Sequence, residues 1–156
     1  MTFELFFRST YVRLARGLLL LTGDEADAED IAQETMVRVF ERWDRIAGME
    51  SPEGYAFRVA LNAHRKRQRR MRLDARRGQH GTEGVDPIGR AETQQLILDA
   101  VGRLTLEQRR ALVLVDWLGV PTEEAARVLR IEPASVRSRL HRARGALREY
   151  LGDDHG

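Results

Sequence analysis

The 156-residue sequence predicts an all-α protein of two small helical domains joined by a flexible linker. Three observations carry that expectation. Apolar residues recur at three- and four-residue spacing along most of the chain, and no period-two alternation marks a strand. Helix-start chemistry heads several of these stretches, at Ser51-Pro52-Glu53, Thr105-Leu106-Glu107-Gln108 and Pro133. Between Leu73 and Arg90 the pattern collapses, with Gly78, Gly81, Gly84, Pro87 and Gly89 set among charges, which is linker composition. The expected division is residues 1–72, a linker at 73–90, and residues 91–156.

The first helix is expected from Thr2 to Leu21, with Phe3, Phe6 or Phe7, Leu14, Leu18 and Leu21 on one stripe. Thr22-Gly23-Asp24 breaks it. A second helix reaches about Asp44 and turns Ala28, Ile31, Ala32, Thr35, Val39 and Trp43 inward. Its acids from Asp24 to Asp30 stand at the positive end of the helix. Ser51-Pro52-Glu53 reads as N-cap, first-turn proline and first-turn acid. The helix they open buries Ala56, Val59, Ala60 and Ala63 and runs into an arginine cluster.

Beyond the linker, Leu96, Ile97, Ala100, Val101 and Leu104 give the next helix. Thr105 to Gln108 is a capping box, opening a helix that carries Leu112 and Val115 and stops at Gly119. Thr122 is read as the cap of a short helix with Ala125, Ala126 and Leu129 inward. After a break at Arg130 to Glu132, Pro133 opens a last helix with Val136, Leu140, Ala143 and Leu147 on its buried side. A short helix, a tight turn and a longer helix make a helix-turn-helix.

Composition bounds the function. Hydrophobic residues at 42% suffice for compact cores, and 32% charge is not a disorder signature. Cysteine is absent, which excludes disulfides and thiolate metal sites and suits a reducing cytoplasm. No targeting signal is visible, and the longest apolar run, Gly17 to Leu21, is far short of the roughly 20 residues of a membrane span.

Net charge is only +2, but the charges are segregated. Asp24 to Glu34 holds six acids and no base; Arg65 to Arg77 holds eight bases against Asp74; Pro133 to Arg148 holds five arginines and no acid. Such runs are often solvated helix faces. Three of them, each opposite an apolar face, point instead to one surface for nucleic acid and another for a basic protein partner.

On the last helix, about 100° per residue puts Arg137, His141, Arg144 and Arg148 on one outward face, flanked by Ser138 and Arg142. A recognition helix reads DNA from its N-terminal turns. Arg137, Ser138, His141 and Arg142 are therefore placed for base edges, and Arg144 and Arg148 for the backbone. The cluster Arg65, Lys66, Arg67, Arg69, Arg70 and Arg72 lies near Trp43, Tyr55 and Phe57. Charge with aromatic rings is what binds single-stranded DNA, although Trp43 and Phe57 read more readily as core.

Catalytic readings fail. His64, His80, His141 and His155 lack metal-ligand spacing, and the acidic run lacks calcium-loop spacing. There is no phosphate-binding glycine loop and no nucleophile motif. No cofactor, metal or small-molecule substrate is expected.

Over nearly its whole length the chain resembles the extracytoplasmic-function group of the sigma-70 family. Asp27 to Trp43, with Asp30, Gln33, Glu34 and Arg38, is similar to the family's region 2.2. Tyr55 to Arg65, with Ala60-Leu61-Asn62, is similar to region 2.4. Gly119, Glu124 and Ala126, followed by Ser135 to Arg144, resemble region 4.2.

The resemblance implies a promoter-recognition subunit that is not an enzyme. Asp30, Gln33, Glu34 and Arg38 would face the polymerase clamp. The loop from Ile46 to Ser51 would capture a flipped base of the minus-ten element. Tyr55, Arg58, Asn62, Arg65, Lys66 and Arg69 would hold the unwound strand. Arg137, Ser138, His141, Arg142 and Arg144 would engage the minus-35 duplex. The linker would thread toward the RNA exit path, and an anti-sigma partner would mask these faces.

Two departures stand out. Leu104-Thr105 occupies a position where the family often has proline, in the part that contacts the polymerase flap, and the capping box substitutes for it. Ala134-Ser135 replaces a common Gly-Thr pair at the recognition-helix start. The alternatives are a stand-alone helix-turn-helix regulator, which would bind a palindromic duplex without polymerase, and a helical adaptor, which would lack salt-dependent DNA affinity.

Overall fold

In a computed structural model the described residues are 1–76 and 91–155. They form α1 (Phe3–Thr22), α2 (Glu25–Glu41), the short α3 (Trp43–Ile46), α4 (Pro52–Arg76), α5 (Glu92–Gly102), α6 (Leu106–Leu112), α7 (Thr122–Leu129) and α8 (Pro133–His155), with a π-helical turn at Val113–Trp117. No strand occurs among them. The all-α expectation holds.

The helix ends follow side-chain chemistry. Thr2 Oγ1 accepts from Leu5 N at 3.3 Å to start α1, and Asp24 Oδ1 accepts from Asp27 N at 3.0 Å to start α2. Ser51 Oγ accepts from Gly54 N at 3.0 Å ahead of Pro52. The Thr105–Gln108 capping box is formed in both directions, at 3.2 and 3.1 Å. Thr122, by contrast, lies inside α7; Pro121 is the cap position, without a side-chain hydrogen bond.

Two boundaries move. The second helix stops at Glu41, where Arg42 leaves helical geometry and Trp43 begins α3. The basic helix continues through Leu73 to Arg76, so only the rest of the expected linker, 77–90, lies outside the described residues.

Both halves are helical, and they share one core. Phe6, Leu14, Leu18, Ile31, Val39, Ala60 and Leu61 of the first half cluster with Ala111, Val113, Leu114, Leu118, Val128 and Val136 of the second. Val101, Leu104 and Ala143 form a smaller cluster beside it.

The contact between halves rests on Gly17. A Cβ there would stand 3.0 Å from Trp117 Cδ1 and 3.3 Å from both Leu118 Cδ2 and Val113 Cγ1, so only the missing side chain lets α1 approach the π turn this closely. Three hydrogen bonds seal the joint: Arg13 Nη2 to Leu118 O at 2.8 Å, Trp117 Nε1 to Arg13 O at 3.2 Å, and Arg109 Nη1 to Leu21 O at 3.0 Å.

The π turn re-phases the helix it interrupts. Leu118 N bonds Val113 O at 2.9 Å, a five-residue step that rotates the following side chains. Val113, Leu114 and Leu118 are consequently buried, while Leu112 and Val115, the expected inward pair, are half-buried. Ile97 of the expected α5 stripe is exposed as well.

Candidate nucleic-acid and protein interfaces

On α8, Val136, Leu140 and Ala143 are fully buried, which fixes the rotation of the helix. Arg137, Ser138, His141, Arg142, Arg144 and Arg148 all reach solvent. The turn before α8 is closed by Arg130 in the left-handed conformation, φ 59°. Arg144 is tied down: its Nε and Nη2 donate to the two carboxylate oxygens of Asp116 at 2.9 and 2.6 Å. That hydrogen-bonded pair raises the Arg144 pKa, chiefly through the Asp116 bond. Arg137, His141 and Arg142 have no such carboxylate among the described residues.

On α4, Arg58, Lys66 and Arg69 are exposed, and Tyr55, Asn62 and Arg65 are half-buried. The Tyr55 hydroxyl accepts from Arg42 Nη1 at 3.4 Å. Arg42, Arg45, Ile46, Met49 and Tyr55 enclose a concavity of about 80 Å³ beside the loop from Ile46 to Ser51. The open question about the aromatics is settled for Phe57, which is 3% exposed and belongs to the core. Trp43 is half-buried and packs on Phe3 and Phe6, at ring separations of 5.7 and 5.2 Å.

On α2, Asp30, Gln33 and Arg38 are exposed and Glu34 is half-buried, along one face. Arg38 Nη2 donates to Glu34 Oε1 at 3.0 Å, and Arg67 of α4 reaches Asp27 at 3.2 Å and Asp30 at 3.8 Å. At this exposure such pairs contribute about 1 kcal/mol or less. The same face carries Val37 and Phe40, 56% and 63% exposed, which the charge pattern did not single out. Their apolar character at i+3 and i+6 from Glu34 was the available signal.

Comparison with known proteins now bears on this geometry. Residues 6–73 match the family model described as Sigma-70 region 2, and residues 94–147 match Sigma-70, region 4. RNA polymerase sigma-E factor of Streptomyces avermitilis is 32% identical over 96% of this chain and 84% of its own length. ECF RNA polymerase sigma factor SigL of Mycobacterium tuberculosis is 34% identical over 88% of this chain and 82% of its own. The chain belongs to the extracytoplasmic-function group of the sigma-70 family.

In fold, this sigma factor is similar to the sigma factor RpoE of Bartonella quintana solved with the anti-sigma factor NepR, with a TM-score of 0.82 at 23% identity, covering 96% of each chain. It is also similar to CnrH solved with the cytosolic domain of CnrY, with a TM-score of 0.67 at 25% identity over 97% of this chain and 88% of the other. Sigma factors are initiation regulators rather than enzymes in themselves, and the stand-alone regulator is not favoured. No described helix is long and apolar enough to cross a membrane.

Within this sigma factor the two halves meet at a cleft of about 520 Å³ beside the first turn of α4, whose walls include Glu50, Glu53, Glu123, Glu124 and Arg127. Glu124 of α7 lies so close to Gly54 that a methyl there would overlap its carboxylate. The acid therefore sits at the positive end of α4, where helix geometry favours an anion. Arg109 and Arg110 of α6 lie near enough to α4 to act on His64. Burial first, then Arg110, Arg109 and Arg65, depress the pKa of His64 from 6.5 to about 4, so the imidazole is neutral. Burial lowers the pKa of Arg65 and Arg110 too, reinforced in each case by neighbouring arginines.

Proposed function

We propose that this cytoplasmic sigma factor binds core RNA polymerase through its first half, reads the minus-35 duplex through its second, and itself catalyses nothing. Residues 1–72 act as the clamp-binding and minus-ten unit, 73–90 as the tether, and 91–156 as the minus-35 unit. Asp30, Gln33, Glu34 and Arg38 dock the clamp. Tyr55, Arg58, Asn62, Arg65, Lys66 and Arg69 hold the unwound strand, and the concavity beside Tyr55 receives a flipped base, which lowers the free energy of the open state relative to the duplex.

Arg137, Ser138, His141 and Arg142 read base edges, and Arg144 meets the backbone once released from Asp116. The observation that carries the reading is the exposed polar face of α8, on which Arg137, His141 and Arg142 have no ion-pair partner among the described residues, held outward by the buried Val136, Leu140 and Ala143 within a helix-turn-helix. An anti-sigma partner belongs to the same reading, and the complex of the similar RpoE with the anti-sigma factor NepR supports it.

Run-off transcription with core polymerase on a genomic promoter library tests the whole reading. A discrete promoter set with common minus-ten and minus-35 elements is the expected result. Transcription no different from core enzyme alone would overturn it.

A further inference from the structure

We propose that the cavity between α1, α5 and the π turn binds a small amphipathic carboxylate, its apolar body held by Leu19, Leu20, Ile97, Leu98 and Trp117 and its head group by Arg16. These six residues, with Gln94, line a volume of about 290 Å³. That approaches the size of small-molecule sites, which set a few polar groups among apolar walls.

The walls are in place before anything binds. Trp117 Nε1 donates to Arg13 O at 3.2 Å, and its Cδ1 comes to 3.0 Å from where a Cβ on Gly17 would stand, so the indole is fixed against α1. The residue is nonetheless 44% exposed, and Ile97 of α5 is 45% exposed. A fixed ring and an exposed isoleucine in one cavity offer apolar surface that a ligand removes from water at little ordering cost.

The polar lining sets the head group. Among the described residues lining the cavity, Arg16 alone is charged and Gln94 alone carries an amide. Arg16 is exposed and forms no ion pair among the described residues. A guanidinium takes a carboxylate through two parallel hydrogen bonds, and one cation matches one negative charge.

The span of the cavity selects a small molecule over a protein. Its lining runs from Arg16 to Leu20 on α1 and from Gln94 to Leu98 on α5, in each case about 6 Å of helix rise. A helix lying in a groove uses anchors at i and i+7, about 10 Å apart, and a stable dimer buries roughly 800 Å² per partner. A recess one turn long seats neither.

The first half supplies α1, and the second supplies α5 and the π turn. A ligand held by all three binds the packed arrangement and favours it, which makes separation of the halves responsive to a small carboxylate. The site is independent of promoter reading and of polymerase.

The test uses the full chain carrying Trp43→Phe, which leaves Trp117 as its single tryptophan. Indole fluorescence is followed against sodium octanoate, 1-octanol and octylammonium chloride at matched ionic strength. A saturable change with octanoate, weaker with the alcohol and weakest with the ammonium, is expected. Arg16→Gln should weaken octanoate binding about fivefold and leave octanol binding unchanged. Ile97→Asp, at an exposed position that does not burden the fold, should abolish both. Binding indifferent to the head group, or octanoate binding unchanged in Arg16→Gln, would overturn the proposal. So would self-association lost in Ile97→Asp, which gives the cavity to a second copy, and an absence of saturation with every probe, which leaves it to a protein partner.

Discussion

Arg137, Ser138, His141 and Arg142 reach solvent because Val136, Leu140 and Ala143 cannot, and that outward face was legible from helical spacing alone. Replacing Arg137 with alanine is expected to weaken minus-35 binding by about 1–3 kcal/mol and to relax base preference there. Unchanged selectivity across a promoter set, measured by competitive binding of the holoenzyme, would refute the assignment. What spacing could not reveal is which arginine is already engaged. Asp116 stands 28 residues from Arg144, and its approach depends on the π turn. His64 was likewise dismissed as a scattered histidine, although it is 1% exposed. Its folded pKa of about 4 lies below the unfolded 6.5, so the unfolded chain binds more protons between those values. Stability is then complete above about pH 6.5 and falls as pH drops toward 4, by up to about 3 kcal/mol. Urea denaturation across that range should show the slope in the natural chain and lack it in His64→Leu.

At the scale of elements, caps and stripes were readable wherever one helix obeyed its own periodicity. Ser51, Thr105 and the α8 stripe fall where expected. Errors cluster where a neighbour intervened. Leu112 and Val115 gave way to Val113 and Leu114 because α1 packs against the π turn, and no local pattern announces a π turn. Gly17 was simply part of an apolar run, yet it decides how near α1 can come. A glycine there costs about 1 kcal/mol of helix propensity, so its use is intelligible only through the contact it permits. Gly17→Leu should improve α1 locally but overpack the joint, by about 1–3 kcal/mol. The expected outcome is separated halves and a larger radius of gyration by small-angle scattering. A radius equal to that of the natural chain would mean that the joint tolerates the side chain.

For the whole molecule, the two-part division was visible in composition, and the packing of the parts was not. Patterning tells which face of a helix is buried but not which partner buries it. Leu14 and Leu18 looked like core for the first half alone, and they also meet the second. In the packed form, carboxylates of Glu50, Glu53, Glu123 and Glu124 line the cleft beside the loop that would take the unwound strand. On the proposed function, entry of DNA there is expected to require that α7 moves away. The sequence has no cysteine, so the pair Glu50→Cys and Glu123→Cys, at exposed positions lining that cleft, can be joined by a bifunctional thiol reagent. The cross-linked variant is expected to transcribe at background level, and the same variant before cross-linking at the natural level. Full activity while cross-linked would show that the halves need not part.

Glu124 gives that separation a further property. Seated over Gly54 at the amino end of α4, its carboxylate would compete with an incoming phosphodiester for that positive helix end. A competitor on the same polypeptide is never diluted away, yet it is sensitive to ions. Modest salt should loosen this competitor first, and more salt should then strip the promoter itself. Open-complex yield is expected to climb and then decline along a salt titration, and the climb should vanish in Glu124→Gln.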